Sequence, residues 1–318
     1  MTNFMQFLSN NRIPFQERIP LSKKSWIKTG GVCNIWVAPE SLSQLEMVCK
    51  YLFVNRLNFD LVGQTSNIFF HSTYNPQIIV STVKANKFRI EDDMLTCDCG
   101  CNVMRMAKEM LAKGYAGFYG LVELPGTVAA AAVNNAGCFN CSISDMLISA
   151  EVLMPNGTIT TVAKEDFGYE KRSSKFKRGE VKGVVLSVKL KLKKAENVEE
   201  EYRKSEETKL YRKTNQEGPA KNLGSVFAQM RLKYNYKNRL ATIISNIAGK
   251  FGVAAKKRMN KRMLLWLYGY SDLNPYISDK KLNTFVWCDD YAEEKFFRYK
   301  EFMNKAFTDL KIEIEERF

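Results

Sequence analysis

Residues 117–139 read Gly-Phe-Tyr-Gly-Leu-Val-Glu-Leu-Pro-Gly-Thr-Val-Ala-Ala-Ala-Ala-Val-Asn-Asn-Ala-Gly-Cys-Phe, the stretch of the chain most constrained in composition. The Pro125-Gly126 turn, the four alanines Ala129 to Ala132 and Asn135-Ala136-Gly137 leave a backbone almost bare of side chains. Amide N–H groups of such a backbone approach a bulky anion closely, and a diphosphate is the natural guest. An alanine-rich helix or a small-residue packing seam competes with that reading, because alanine is the strongest helix former.

At 318 residues the chain predicts two or three sub-domains of roughly 100–150 residues each. A hydrophobic fraction of 45% suits a globular interior, and no apolar run approaches the roughly 20 residues that span a bilayer. The start, Met1 to Arg12, lacks the features of a signal peptide, so a cytoplasmic protein is expected. Eight cysteines are then expected as reduced thiols. Cys97, Cys99 and Cys101 alternate and would project from one face of a strand, where they could hold a soft metal. The plainer reading is three buried small hydrophobes, and no metal site is expected. A single histidine, His71, argues against a histidine-rich zinc site and a Ser–His–Asp triad.

The net charge of +14 favours anionic partners. The run Lys256 to Arg262, followed by Met263-Leu-Leu-Trp-Leu-Tyr268, reads either as a solvated helix face or as a basic amphipathic element making peripheral membrane contact. No nucleic-acid motif accompanies it, and no nucleic-acid partner is expected.

Local patterns predict a strand over 31–37, a capped helix within 39–52, and a strand over 58–63 ending in the polar turn Gly63-Gln-Thr-Ser-Asn67. Strands are predicted over 77–83 and 87–97, and a helix over 103–113 stopped by Gly114. A hairpin over 148–162 turns at Asn156-Gly157, and an alternating strand covers 181–193. The charged stretch 193–216 is placed at a domain boundary. Beyond it, helices are expected over 240–252 and 290–307, with a strand over 310–315 putting Glu313 and Glu315 on one side.

In order along the chain these pieces resemble the UDP-N-acetylenolpyruvoylglucosamine reductase (MurB) family of flavoenzymes. Lys24-Ser-Trp-Ile-Lys-Thr-Gly-Gly31 is similar to its Thr-x-x-x-Gly-Gly element, and Gly63 to Asn67 to its Gly-x-Gly-Ser-Asn loop. Leu124-Pro-Gly-Thr-Val with Asn135-Ala-Gly137 is similar to its Ile-Pro-Gly-Thr-Val-Gly-Gly and Asn-Ala-Gly segments. Phe167 to Lys177 resembles Tyr-Arg-x-Ser-x-Phe-Lys, Gly224-Ser-Val-Phe resembles Gly-Ser-x-Phe, and Ile312-Glu-Ile-Glu315 resembles Leu-x-x-Glu. The likeness is good over roughly 20–195 and thin afterwards.

The resemblance implies an α+β fold with two FAD-binding sub-domains of the PCMH/VAO type, at 1–78 and 79–198, and a third, substrate-binding α+β domain at 199–318. It implies FAD held by Gly63, Thr65, Ser66, Asn67, Pro125, Gly126, Thr127, Ala129, Ala130, Asn135 and Gly137, with NADPH as reductant. The implied activity is that of a cytoplasmic bacterial oxidoreductase of peptidoglycan synthesis, monomeric or weakly dimeric, reducing an anionic enolpyruvyl nucleotide-sugar. Arg172 matches the arginine that binds the substrate carboxylate, Ser225 the serine that donates a proton, and Glu315 a carboxyl that orients the same intermediate, with Glu313 as its competitor. Gln229 stands among the substrate-binding positions. Reduction of a different enolpyruvyl sugar for a capsule or lipopolysaccharide, and a non-catalytic flavin- or nucleotide-binding relative, are the alternatives. Three departures stand out: Ala129-Ala130 replaces Gly-Gly, Ala228-Gln229-Met230 replaces Lys-Asn-Pro, and Tyr169 is separated from Arg172 by two residues.

Overall fold

In a computed structural model, residues 1–218 and 221–318 are described, and they fall into two compact units. The first comprises 1–23, 31–66 and 75–209; the second comprises 24–30, 67–74 and 210–318.

The first unit is built on two sheets. One orders its strands Phe15–Pro20, Val32–Val37, Ile78–Ser81, Asp60–Val62, with the last three mutually parallel. Between two of these strands runs the helix Leu42–Val54, whose N-cap Ser41 accepts from the Gln44 N–H at 3.2 Å, as its sequence predicts. The other sheet is antiparallel, ordered Ile159–Ala163, Leu147–Leu153, Val184–Lys191, Met94–Asp98, Phe88–Glu91. Its first hairpin turns at Gly157, where φ of +85° suits glycine. Asn102 caps the helix Val103–Ala112 and Gly114, at φ +76°, follows its end. Buried side chains from both sheets and these helices form one core, running from Phe4 to Leu192.

Several predicted elements are corrected. Residues 87–97 are not one strand but two, joined at Asp92 with φ of +54°, because an aspartate tolerates the left-handed turn that the sequence does not advertise with glycine. The alternation of Cys97, Cys99 and Cys101 does not lie within a strand, which ends at Asp98, yet all three are fully buried. Among the described residues no group of three or more His, Cys, Asp or Glu is placed to hold a metal ion. Within the charged stretch lies an 18-residue helix, Val198–Asn215, which carries no apolar stripe and is stitched by pairs such as Arg203 with Glu200 and Glu207.

The second unit packs helices around an aromatic core in which Phe69, Phe285, Trp287, Phe296 and Tyr299 meet edge to face or tilted. The predicted helix over 240–252 begins earlier, at Tyr236, and ends at Ala248 before a short 3-10 turn, Gly249–Phe251. The basic run lies on the helix Val253–Tyr268, where Lys261 is buried rather than solvated and donates to the carbonyls of Asn274 and Ile277 at 3.0 and 2.8 Å. The last predicted strand is split. Phe307–Ile312 pairs antiparallel with Phe227–Leu232, and Glu315–Arg317 pairs parallel with Ile68–Phe70. Glu313 therefore lies between strands rather than on a shared face with Glu315, because the chain changes partner there. Among the described residues no helix is long and apolar enough to cross a membrane.

Candidate functional site

In the first unit, two of the loops named from the sequence come together. Gly63 lies so close to Thr127 that a Cβ on it would stand 2.5 Å from Thr127 Oγ1. The Gly126 N–H donates to Gln64 Oε1 at 3.0 Å, and Gly126 holds φ at +130°. Thr65 and Thr127 are buried beside each other's loops, Thr65 in the left-handed region at φ +56°. Left-handed non-glycine residues recur through the same segments, at Asn135, Phe139, Asn140 and Arg172. Such strain persists where the surroundings over-determine it, and it gathers at ligand sites.

Residues 128–133 form a short helix, as the alanine-helix reading expects. Ala129 and Ala130 have negative φ within that helix, so their methyl groups cost no backbone strain where glycine was expected. The Ala129 N–H is engaged by Cys99 O at 3.1 Å and the Val128 N–H by Cys101 O at 2.8 Å. Beyond the helix, Asn135 accepts from Ser144 Oγ at 2.6 Å and donates from Nδ2 to Glu170 O at 2.7 Å.

Arg172 completes this arrangement. Its guanidinium donates to Asn135 O at 3.1 Å and to Gly137 O, so the residue 37 positions away is tied to the Asn-Ala-Gly segment. Both acceptors are backbone carbonyls, so these two bonds fix the orientation of the planar guanidinium. The two-residue offset between Tyr169 and Arg172 is absorbed by a tight turn, in which Glu170 and Ser173 pair backbone to backbone. Two buried polar atoms here lack a hydrogen-bond partner, Tyr169 Oη and Asn134 Oδ1. Burial pushes the Tyr169 hydroxyl well above the usual tyrosine range, which keeps it a neutral donor. Orphaned polar groups of this kind mark where a ligand would complete the hydrogen bonding. Sequence reading passed over Asn134, although its neighbour Asn135 was named. Gly137 is fixed by its neighbours, since a Cβ would stand 2.3 Å from Cys141 O and 2.7 Å from Ser142 Cα. Gly137→Ala is expected to lower stability by about 1–3 kcal/mol, seen as a lower thermal midpoint; an unchanged midpoint would show that this hairpin yields freely.

In the second unit, Ser225 follows Gly224, which holds φ at +74°. Lys281 Nζ donates to Ser225 Oγ at 2.6 Å, a partner 56 residues away that no local pattern announces. Asn283 braces the same segment, accepting from the Phe227 N–H at 2.9 Å and donating to Phe227 O at 2.7 Å. Gln229 is exposed on the strand opposite Lys311.

Glu315 sits on the last strand, its N–H donating to Asn67 O at 2.8 Å and its Oε2 accepting from Arg317 at 2.9 Å. Asn67 Nδ2 donates to Glu313 O at 3.2 Å, so Asn67 of the polar turn belongs to the second unit's framework, unlike Gly63 to Ser66. The register of this strand is locked by the only histidine. His71 is 1% exposed, with Nδ1 3.1 Å from Glu293 and Nε2 3.0 Å from Glu316. Its ring stacks on Phe318, and Lys300 pairs with Glu316 at 2.8 Å. Both ring nitrogens therefore face carboxylates. His71→Leu is expected to cost about 2–3 kcal/mol, read as a lower urea midpoint; equal midpoints would show that the network contributes nothing.

A shallow cavity of about 610 Å³ in the second unit is lined by Lys233, Lys237, Tyr268, Glu301, Asn304 and Lys305, none of them named as site residues from the sequence.

Comparison with known proteins bears on both units. An FAD binding domain family matches residues 34–163. UDP-N-acetylenolpyruvoylglucosamine reductase of Trichormus variabilis is 31% identical over 170 residues, 53% of this chain and 51% of that protein. Its counterpart in Caldicellulosiruptor saccharolyticus is 29% identical over 192 residues, 60% and 61% of the two chains. The chain thus spans about half the length of the first of the curated relatives it matches. The crystal structure of UDP-N-acetylenolpyruvylglucosamine reductase (MurB) from Thermus caldophilus superposes with a TM-score of 0.66 at 18% identity, over 96% of this chain and 98% of that one. At that identity the likeness establishes the fold, an α+β architecture in which the FAD binding domain match falls on residues 34–163.

Proposed function

We propose that the chain, which matches an FAD binding domain family over residues 34–163 and resembles UDP-N-acetylenolpyruvoylglucosamine reductases in sequence and fold, is a divergent MurB-type protein, an FAD-dependent reductase of an enolpyruvyl nucleotide-sugar with NADPH as reductant. The most direct support is Arg172, a permanent cation oriented on the carbonyls of Asn135 and Gly137 beside the orphaned Tyr169 hydroxyl.

The residues fit a flavin dinucleotide. Gly126 at positive φ and Gly63 against Thr127 let two loops close where a side chain would block them, and Ser66, Thr65, Pro125, Ala130, Asn135 and Gly137 line the same segments. Asn67 would contribute from the strand framework. FAD, when bound, supplies the hydride that the terminal carbon of the enolpyruvyl group takes up.

The chain's own residues do the rest. Arg172 offers two parallel N–H donors to the substrate carboxylate, on which negative charge gathers between hydride and proton delivery. Ser225 holds the proton for the adjacent carbon. Because Lys281 donates to Ser225 Oγ, the serine hydroxyl is free to donate outward, and the ammonium offsets the charge left on the oxygen. Glu315, held by Asn67 and Arg317, orients the same group. Gln229 reaches the sugar side. The charge of +14 favours encounter with an anionic nucleotide-sugar. We place this reaction in the cytoplasm of a bacterium, in peptidoglycan synthesis, carried out by a monomer or weak dimer.

The test is anaerobic reduction of the purified protein with NADPH, followed by addition of UDP-N-acetylenolpyruvoylglucosamine. Return of the oxidised flavin absorbance in proportion to the sugar is expected. The replacement of Lys-Asn-Pro by Ala228-Gln229-Met230 favours one second reading, a different enolpyruvyl sugar. Reoxidation by such a sugar alone would select it, and reoxidation by neither would indicate a non-catalytic relative.

A further inference from the structure

We propose that the helical hairpin of residues 236–268 docks on an anionic phospholipid bilayer surface. The helix Tyr236–Ala248 is inside out. Its buried positions are the small or polar Asn238, Ala241 and Ser245, while Tyr236, Leu240, Ile243 and Ile247 are exposed. Their spacing of four, three and four residues places them on one stripe, opposite the buried side. At the hairpin's tip Phe251 is 86% exposed and Val253 69%.

Burying Asn238 instead of the isoleucines has a structural cause. Asn238 donates to the carbonyls of Lys233 and Ala306 at 2.8 and 2.9 Å, which pins that face of the helix to the unit. Among the described residues the apolar stripe stays exposed. A contiguous exposed apolar surface of this kind marks an interaction site.

Charge selects the partner. From Arg231 to Ser271 the sequence has ten basic residues and no acidic one. Lys250 and Lys256 are exposed on either side of Phe251 and Val253, so the apolar tip is flanked by cations. An interfacial element on anionic lipid has this composition, with apolar side chains entering the headgroup boundary and lysines among the phosphates. A second copy of the chain would set two such cationic faces against each other. Nucleic acid would satisfy the lysines and leave Ile243, Ile247 and Phe251 in water. At 13 residues the helix is about 20 Å long, suited to lying in the interface rather than crossing it. The proposal does not depend on which sugar the protein reduces.

Co-sedimentation of the full chain with vesicles tests it. Phosphatidylcholine vesicles containing about 30% phosphatidylglycerol are expected to bind at least about tenfold more protein than pure phosphatidylcholine, with binding reduced by salt. Ile247→Ser with Phe251→Ser is expected to lower partitioning by about tenfold or more, and so is Lys250→Gln with Lys256→Gln. All four residues are exposed, and matching thermal midpoints would confirm that the variants fold. Equal binding to both vesicle types, or no loss in the Ile247/Phe251 variant, would overturn the proposal. So would a dimer in sedimentation velocity that the Ile247/Phe251 variant abolishes, or tighter binding to a duplex oligonucleotide that it does not affect.

Discussion

Ser225→Ala is expected to slow reduction of the enolpyruvyl sugar by about 10²–10⁴-fold, while the NADPH half-reaction stays nearly unchanged. Only the second half-reaction needs a proton at carbon, so loss of the hydroxyl falls on that step alone. The substitution leaves in place the neighbours that hold Ser225. Gly224 provides the turn, Asn283 holds Phe227 by two hydrogen bonds, and Lys281 approaches Oγ at 2.6 Å. Stopped-flow measurement of the two half-reactions separates the outcomes, and equal slowing of both would refute the assignment. Lys281→Met should reproduce part of the loss in the same half-reaction, because Ser225 keeps its proton but loses the adjacent ammonium that eases its departure.

Arg172→Lys is expected to lower kcat/KM for the sugar by roughly 10²-fold. The guanidinium spans two backbone carbonyls, Asn135 O and Gly137 O, and its planar fork can meet a carboxylate with further N–H groups. A lysine ammonium carries the charge but cannot bridge both carbonyls and offer a fixed pair of donors. Steady-state kinetics with a flavin-to-protein ratio determined on the same sample provides the check. A full flavin complement with impaired sugar turnover supports a role toward substrate, whereas loss of flavin with normal turnover per flavin would assign Arg172 to holding the loop.

Much of the first unit was legible because its elements are specified by neighbours in sequence. Ser41, Asn102, Gly114 and Gly157 each act within a few residues, through a cap or a left-handed turn. The strand Val184–Lys191 alternates because one face meets the core. Legibility fell where that local logic was weak. Asp92 makes a turn without glycine, and the helix Val198–Asn215 is held by charge pairs rather than by an apolar stripe. The strand after Phe307 looks continuous in sequence, yet its register partner changes from residues 227–232 to residues 68–70.

The same division runs through the candidate site. The motifs around Gly63, Pro125-Gly126 and Asn135-Ala-Gly137 stand out in sequence because each needs a backbone conformation or a close approach that few residue types allow. The sequence by itself determined those turns, the helix caps and the small-residue segment between them. Only the tertiary structure decided that Gly63 meets Thr127, that Arg172 rests on Asn135 and Gly137, that Lys281 faces Ser225, and that His71 locks the strand of Glu315. A turn is set by the torsions of adjacent residues, whereas each of these contacts joins residues dozens to hundreds of positions apart. Their geometry exists only after the intervening chain has folded, so no local pattern encodes it.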